Sequence, residues 1–174
     1  AIFMDQASST LTCNECTISN NTSPINSGAV YVTAGTLDFT NCTFNASEGK
    51  AIQVYNDGNA TDTTIKITDC TFTAAKQGQT WDGKPVTGID INSNGEKFTV
   101  NIKNTTAKGY GPGDYSGNGL WNIKGGVEHI TVMVDGELAA ISVGTNEKLD
   151  SALKENKEYI NVELTGNVSL NTQD

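Results

Sequence analysis

Cys13, Cys16, Cys42 and Cys70 are the side chains of this sequence best suited to covalent or metal chemistry, because thiolates both ligate metals and form disulfides. Cys13-x-x-Cys16 has the spacing of half a zinc site, but no second CxxC or histidine pair completes it. Cys16, Cys42 and Cys70 recur at one position of a repeated phrase, and Thr105 takes that position in the next copy. Strands stacked ~4.8 Å apart would set these thiols in an inward column. A disulfide between neighbouring rungs fits the ~4.4–6.8 Å Cα separation that bridges need. Packing as small, buried, free thiols fits the general habit of cysteine and is the favoured reading. The residues just before that column, Glu15, Asn41, Asp69 and Asn104, read as a turn between two strands, since Asn and Asp tolerate left-handed backbone. Two acids in four positions make a thin calcium site. Neither a metal nor another cofactor is expected.

A second set is aromatic and acidic. Trp81 and Asp82 fall in one interruption of the repeat, Tyr110, Asp114 and Tyr115 in another, and Trp121 follows shortly after. Aromatic faces beside hydrogen-bonding acids are what a sugar-binding groove needs. These six residues are the candidate ligand site, against the alternative of loops packed by their own aromatics. No catalytic residue is expected. His129, the one histidine, precedes a strand and has no GxSxG nucleophile motif for company.

The elements that position these residues come from the repeat itself. Ala29-Val30-Tyr31-Val32 leads to Leu37-Asp38-Phe39-Thr40-Asn41-Cys42-Thr43-Phe44, and Ala51-Ile52-Gln53-Val54 leads to Ile65-Lys66-Ile67-Thr68-Asp69-Cys70-Thr71-Phe72. The same frame fits from Ala1 and, more loosely, from Gly88 and Gly119. Period-two alternation at Leu37/Phe39, Ile65/Ile67, Val100/Ile102 and Ile130/Val132/Val134 is strand spacing with one face buried. Short strands, once or twice per unit, predict a right-handed parallel β-helix in which each unit contacts only its neighbours. The Ala29 unit is the shortest. Longer units carry insertions at 74–87 and 108–118.

Coils are expected over 1–140. Residues 141–174 are expected to hold a short helix, capped near Thr145-Asn146 with Leu149, Ala152 and Leu153 on one face, and then strands at Ile160–Leu164 and Val168–Leu170. That tail either caps the solenoid or opens a following module.

Composition narrows the function. The chain has 174 residues and a net charge of −9, and its 11 basic residues are all Lys. Without clustered Lys and Arg, nucleic-acid binding is not expected. No apolar stretch approaches the ~20 residues that span a bilayer, so membrane insertion by this segment is not expected either. The start within a repeat unit reads as a segment of a longer protein.

Ser27-Gly28-Ala29-Val30-Tyr31-Val32 with Phe39-Thr40-Asn41-Cys42-Thr43-Phe44-Asn45 resembles the GGAI…FxxN repeats of chlamydial polymorphic outer membrane proteins. More broadly, residues 1–136 resemble right-handed parallel β-helix proteins of bacterial surfaces. The tail from Ser142 to Leu164 is similar to segments that open new β-helix modules in large surface proteins of gut bacteria. The resemblance implies a secreted or surface-anchored stalk or adhesin, without catalysis, that meets glycans or a host surface. It leaves the oligomeric state open.

The alternative is a polysaccharide-active enzyme or a tailspike-like phage module. Pectate lyases and polygalacturonases share the implied scaffold, but such lyases generally use a basic residue, often Arg, and such hydrolases need clustered Asp. Asp90 lies between Ile89 and Ile91, and the frame aligns it with Tyr31, Gln53 and Trp121. That column would form a shallow strip facing solvent, but it lacks the carboxylate pair that hydrolysis requires.

Overall fold

A computed structural model describes residues 2–22, 27–56, 63–93, 98–112, 117–124, 130–143 and 161–164. It is all-β: the described residues contain strands and turns and no helix. Three strands make up a unit rather than one or two. The first unit comprises β1 (Ile2–Met4), β2 (Thr10–Asn14) and β3 (Thr17–Ser19), and the second β4 (Ser27–Val32), β5 (Thr36–Thr40) and β6 (Thr43–Ser47). The third comprises β7 (Lys50–Asn56), β8 (Thr63–Thr68) and β9 (Thr71–Ala74). A small hairpin, β10 (Thr80–Trp81) and β11 (Lys84–Pro85), interrupts the series before β12 (Ile89–Ser93), β13 (Phe98–Lys103) and β14 (Thr106–Lys108). The fifth unit keeps β15 (Trp121–Lys124) and β16 (Ile130–Val134), and the chain continues into β17 (Glu137–Val143) and β18 (Asn161–Leu164).

Equivalent strands pair in parallel, giving three stacked sheets. The first sheet has the order β1-β4-β7-β12-β15, the second β18-β17-β16-β13-β8-β5-β2, and the third β14-β9-β6-β3. The register follows the sequence frame: Leu37 pairs with Leu11 and Ile65, and Val100 with Ile65 and Val132. Alternate residues of every sheet meet in one core that includes Val30, Ile52, Ile89, Leu37, Ile65, Val100, Phe44 and Phe72. The Phe44 and Phe72 rings stack at 4.5 Å, and Phe39 meets Phe44 edge-on at 5.1 Å. Mostly parallel strands in stacked sheets around a common core fit a β-helix.

The polar turn column expected between second and third strands is present. Glu15, Asn41, Asp69 and Asn104 all have positive φ, between 45° and 55°. Each turn residue hands its backbone N–H to the next unit, as from Asn41 to the Thr68 carbonyl at 3.0 Å and from Asp69 to Lys103 at 2.9 Å. The left-handed residue swings the chain from one sheet into the next, and the third strand resumes at Thr17, Thr43, Thr71 and Thr106.

The frame slips by one residue in the fifth unit. Trp121 pairs with Ile89, and it is Asn122 that pairs with Asp90. The sequence reading takes Gly119 as the small residue that opens this unit. Leu120 in fact occupies that place, its carbonyl accepting from Ile89 N–H at 2.7 Å. Gly119 serves a tighter purpose. At φ +73° it lies so close to the neighbouring insertion that a Cβ would sit 2.3 Å from the Gly111 carbonyl oxygen. A one-residue slip exchanges the faces of a strand, so Trp121 points inward and is 4% exposed.

Parallel stacking ends at β16. Asp135 and Gly136 both have positive φ, 51° and 84°, the requirement of a two-residue type I′ hairpin loop. The chain therefore reverses, and β17 pairs antiparallel with β16 before β18 joins β17 in parallel. The helix expected near 145–153 and the strand at Val168–Leu170 lie outside the described residues, as does His129. No helix among the described residues is long and apolar enough to cross a membrane.

Candidate functional site

The outer face of the first sheet collects the side chains best placed to meet a ligand. Its strands send Val30, Val32, Ile52, Val54, Ile89, Ile91 and Trp121 into the core. Residues between them point outward, and the pairing register aligns Phe3, Tyr31, Gln53, Asp90 and Asn122 in one column. The column changes character along the stack. Phe3 is 65% exposed and Tyr31 half-buried, whereas Gln53, Asp90 and Asn122 are buried. Phe3 and Tyr31 stack with centroids 5.7 Å apart, and Tyr31 meets Tyr55 at 6.3 Å. Both separations fall in the ~4.5–7 Å range of paired aromatic rings, so the three rings form one aromatic cluster on this face.

At the buried end of the column, Lys50 forms an ion pair with Asp90. Lys50 starts β7 beside an irregularity in the pairing with β4. The nearby Gly49 N–H donates to the Gln79 side-chain carbonyl at 3.2 Å, which ties the first insertion to this edge. Taking both charges out of water is costly, and their attraction offsets that cost only while the pair stays intact. Gln53 Oε1, beside them in the register, is buried without a hydrogen-bond partner among the described residues. Chemically, the accessible part of the face is its aromatic end, Phe3, Tyr31 and Tyr55, while Gln53, Asp90 and Asn122 are covered. Aromatic rings of this kind are groups for stacking on a polyhydroxylated ligand.

The six residues picked out by sequence are distributed differently. Trp81 belongs to β10, and Asp82 with Gly83 forms the two-residue hairpin turn, at φ 51° and 73°. The backbone conformation thus accounts for the Asp-Gly pair. Tyr110 is partly buried against the core, its hydroxyl enclosed without a partner among the described residues, and burial pushes its phenol up from the usual range. The two insertions do meet: Gly111 N–H donates to the Val86 carbonyl at 3.1 Å and Gly78 N–H to Gly109 at 3.0 Å. Trp121 lies beneath the first sheet, in the core. Asp114 and Tyr115 lie outside the described residues. Sequence reasoning passed over Phe3 and Tyr55. Their outward position is given by the period-two alternation with Met4 and Val54.

The cysteines are free, and their column is built for packing. Cys42 Sγ donates to the Thr40 carbonyl at 3.2 Å, and Cys70 Sγ to the Thr68 carbonyl at 3.2 Å. Thr105 makes the equivalent bond, from its hydroxyl to the Lys103 carbonyl at 2.8 Å, which is why Thr replaces Cys there without disturbing the turn. Burial pushes the Cys13 and Cys42 thiols up, and Cys70 up to about 11. Among the described residues, no group of three or more His, Cys, Asp or Glu side chains is arranged to hold a metal ion.

Compared with known proteins, the chain matches no family model, and no curated protein or solved structure is significantly similar to it.

Proposed function

We propose that this chain is a right-handed parallel β-helix segment of a secreted or surface-anchored bacterial protein. It acts as a non-catalytic stalk or adhesive module whose outer first sheet contacts glycans. The observation that carries this reading is the outward aromatic cluster of Phe3 and Tyr31, in register on neighbouring strands and flanked by Tyr55. Sugar rings present C–H faces for aromatic stacking, and a repeated scaffold offers side chains at regular intervals along a polymer. The non-catalytic reading is supported by Asp90, the column's carboxylate, being engaged by Lys50.

A glycan array probed with the whole chain tests this. Binding to an extended glycan, reduced tenfold or more by Tyr31→Ala with Tyr55→Ala, is the expected result. An array without signal would leave a pure spacer. Release of reducing ends or unsaturated products from a polysaccharide, abolished by Asp90→Asn, would establish the enzymatic alternative instead.

A further inference from the structure

Two charged residues stand at places where the other units carry none. Lys50 precedes the small residue that opens its unit, and the corresponding residues elsewhere are Gly28, Thr87 and Gly119. Asp90 sits in the outward column otherwise filled by Phe3, Tyr31, Gln53 and Asn122. Each charge occurs once, in neighbouring units, and the two side chains meet. Lys50 Nζ lies against Asp90 Oδ2, with 5% and 1% of the side chains exposed. The register puts an amide on either side of Asp90, Gln53 on β7 and Asn122 on β15, both of them buried. Gln53 Oε1 accepts no hydrogen bond among the described residues. A primary amine and a carboxyl group are therefore held in contact in a covered site, with an open acceptor on the neighbouring strand.

We propose that Lys50 and Asp90 are a modification site, condensing with each other to an isopeptide bond that joins β7 to β12. A proton first passes from Nζ to the carboxylate, leaving a neutral amine and a neutral acid. That exchange costs little where water solvates neither charge, and a covered lysine gives up its proton more readily than an exposed one. The Nζ lone pair then attacks Cγ, and the new N–C bond forms. One proton moves from nitrogen to the acid hydroxyl, the C–O bond breaks and water departs. Ammonium and carboxylate thus become one amide and one water, with no change of oxidation state. Fixed contact replaces a bimolecular encounter, and exclusion of water opposes the return hydrolysis. Gln53 Oε1 is the acceptor available to the single N–H that the amide keeps. Closure removes two buried charges whose attraction otherwise only offsets their desolvation. Until it closes, the two groups remain the ion pair described above. The bond makes a covalent loop of the chain from Lys50 to Asp90, so load on the first sheet no longer rests on ladder hydrogen bonds alone at this rung.

Mass spectrometry of the full chain, held folded at neutral pH and then denatured with reductant, tests this. The expected intact mass is one water below that of the sequence. Trypsin cuts neither after an acylated lysine nor before Pro85, so the digest should contain fragment 1–66 joined to 77–97, with fragmentation placing the branch between Lys50 and Asp90. Lys50→Arg keeps the ion pair but has no amine to condense. It should show the full sequence mass and release 1–50 and 51–66 separately, with a circular dichroism spectrum like that of the wild type. A wild-type chain that stays at sequence mass and is cut after Lys50 would overturn the proposal and leave an ion pair. A water lost as a succinimide at Asp82-Gly83 or Asp135-Gly136, with 1–50 still released, would overturn it too. So would a mass deficit that persists in Lys50→Arg, or a branch that maps to another carboxyl group.

Discussion

Single residues divide here between those that set backbone direction and those that hold charge out of water. Asp69 is exposed and left-handed, so replacing it changes little packing and isolates the conformational term. Left-handed backbone costs an ordinary L-residue roughly 1–2 kcal/mol, and β-branching adds to that. Asp69→Val should therefore lose about 1–2 kcal/mol in urea denaturation, while Asp69→Gly and Asp69→Asn stay close to wild type. Equal losses in all three would show that the side chain, not the φ angle, matters. The Lys50–Asp90 pair follows a different rule. Removing one partner leaves the other charge buried, so Asp90→Ala should cost about 3–5 kcal/mol. Lys50→Met combined with Asp90→Leu should recover most of that loss in the same denaturation experiment. A double variant no better than the single one would mean that the pair contributes more than mutual neutralisation.

At the scale of strands and turns, what could be read from the sequence depended on the range of the signal. Period-two alternation located β5, β8, β13 and β16, and the Asn/Asp column located the corner, because both signals are local and repeated. The third strands were less visible, since β3 and β14 are three residues long and leave no full period to read. The Asp82-Gly83 and Asp135-Gly136 hairpins are legible as dipeptides, since both place Asp and Gly at the two positive-φ positions of the turn. The slip at Gly119 was not legible, because it depends on the Gly111 backbone arriving from another loop. Neither was the burial of Gln53, Asp90 and Asn122, which alternation places outward but cannot cover. The slip has a direct consequence. Trp121→Ala opens a core cavity and should cost about 3–5 kcal/mol, whereas Tyr31→Ala, on the outer face, should stay near or below about 1 kcal/mol. Thermal unfolding of both variants checks the assignment. Comparable small losses would return Trp121 to the surface strip.

Across the whole molecule, equivalent corners stack from unit to unit along the parallel sheets. Along these corners runs a column of thiols, and the buried members, together with the enclosed Tyr110 hydroxyl, give stability an alkaline limit. A Cys70 thiol titrates near 9.0 when unfolded and about 11 in the folded chain. Between those values the unfolded chain has released its proton while the folded chain still holds it. The unfolded state then binds fewer protons, so stability must fall as pH rises. The contribution is complete below about pH 9 and gone above about 11, with Cys13, Cys42 and Tyr110 shifted in the same direction. At ~1.4 kcal/mol per pKa unit, Cys70 alone accounts for about 2–3 kcal/mol. Urea denaturation under reducing conditions at pH 8 and pH 11 should show that loss. Cys70→Thr, which copies Thr105 and cannot ionise, should show a correspondingly smaller one. An unchanged pH dependence in Cys70→Thr would mean that the buried thiol does not set the alkaline limit, and the enclosed Tyr110 hydroxyl would be the group to replace next.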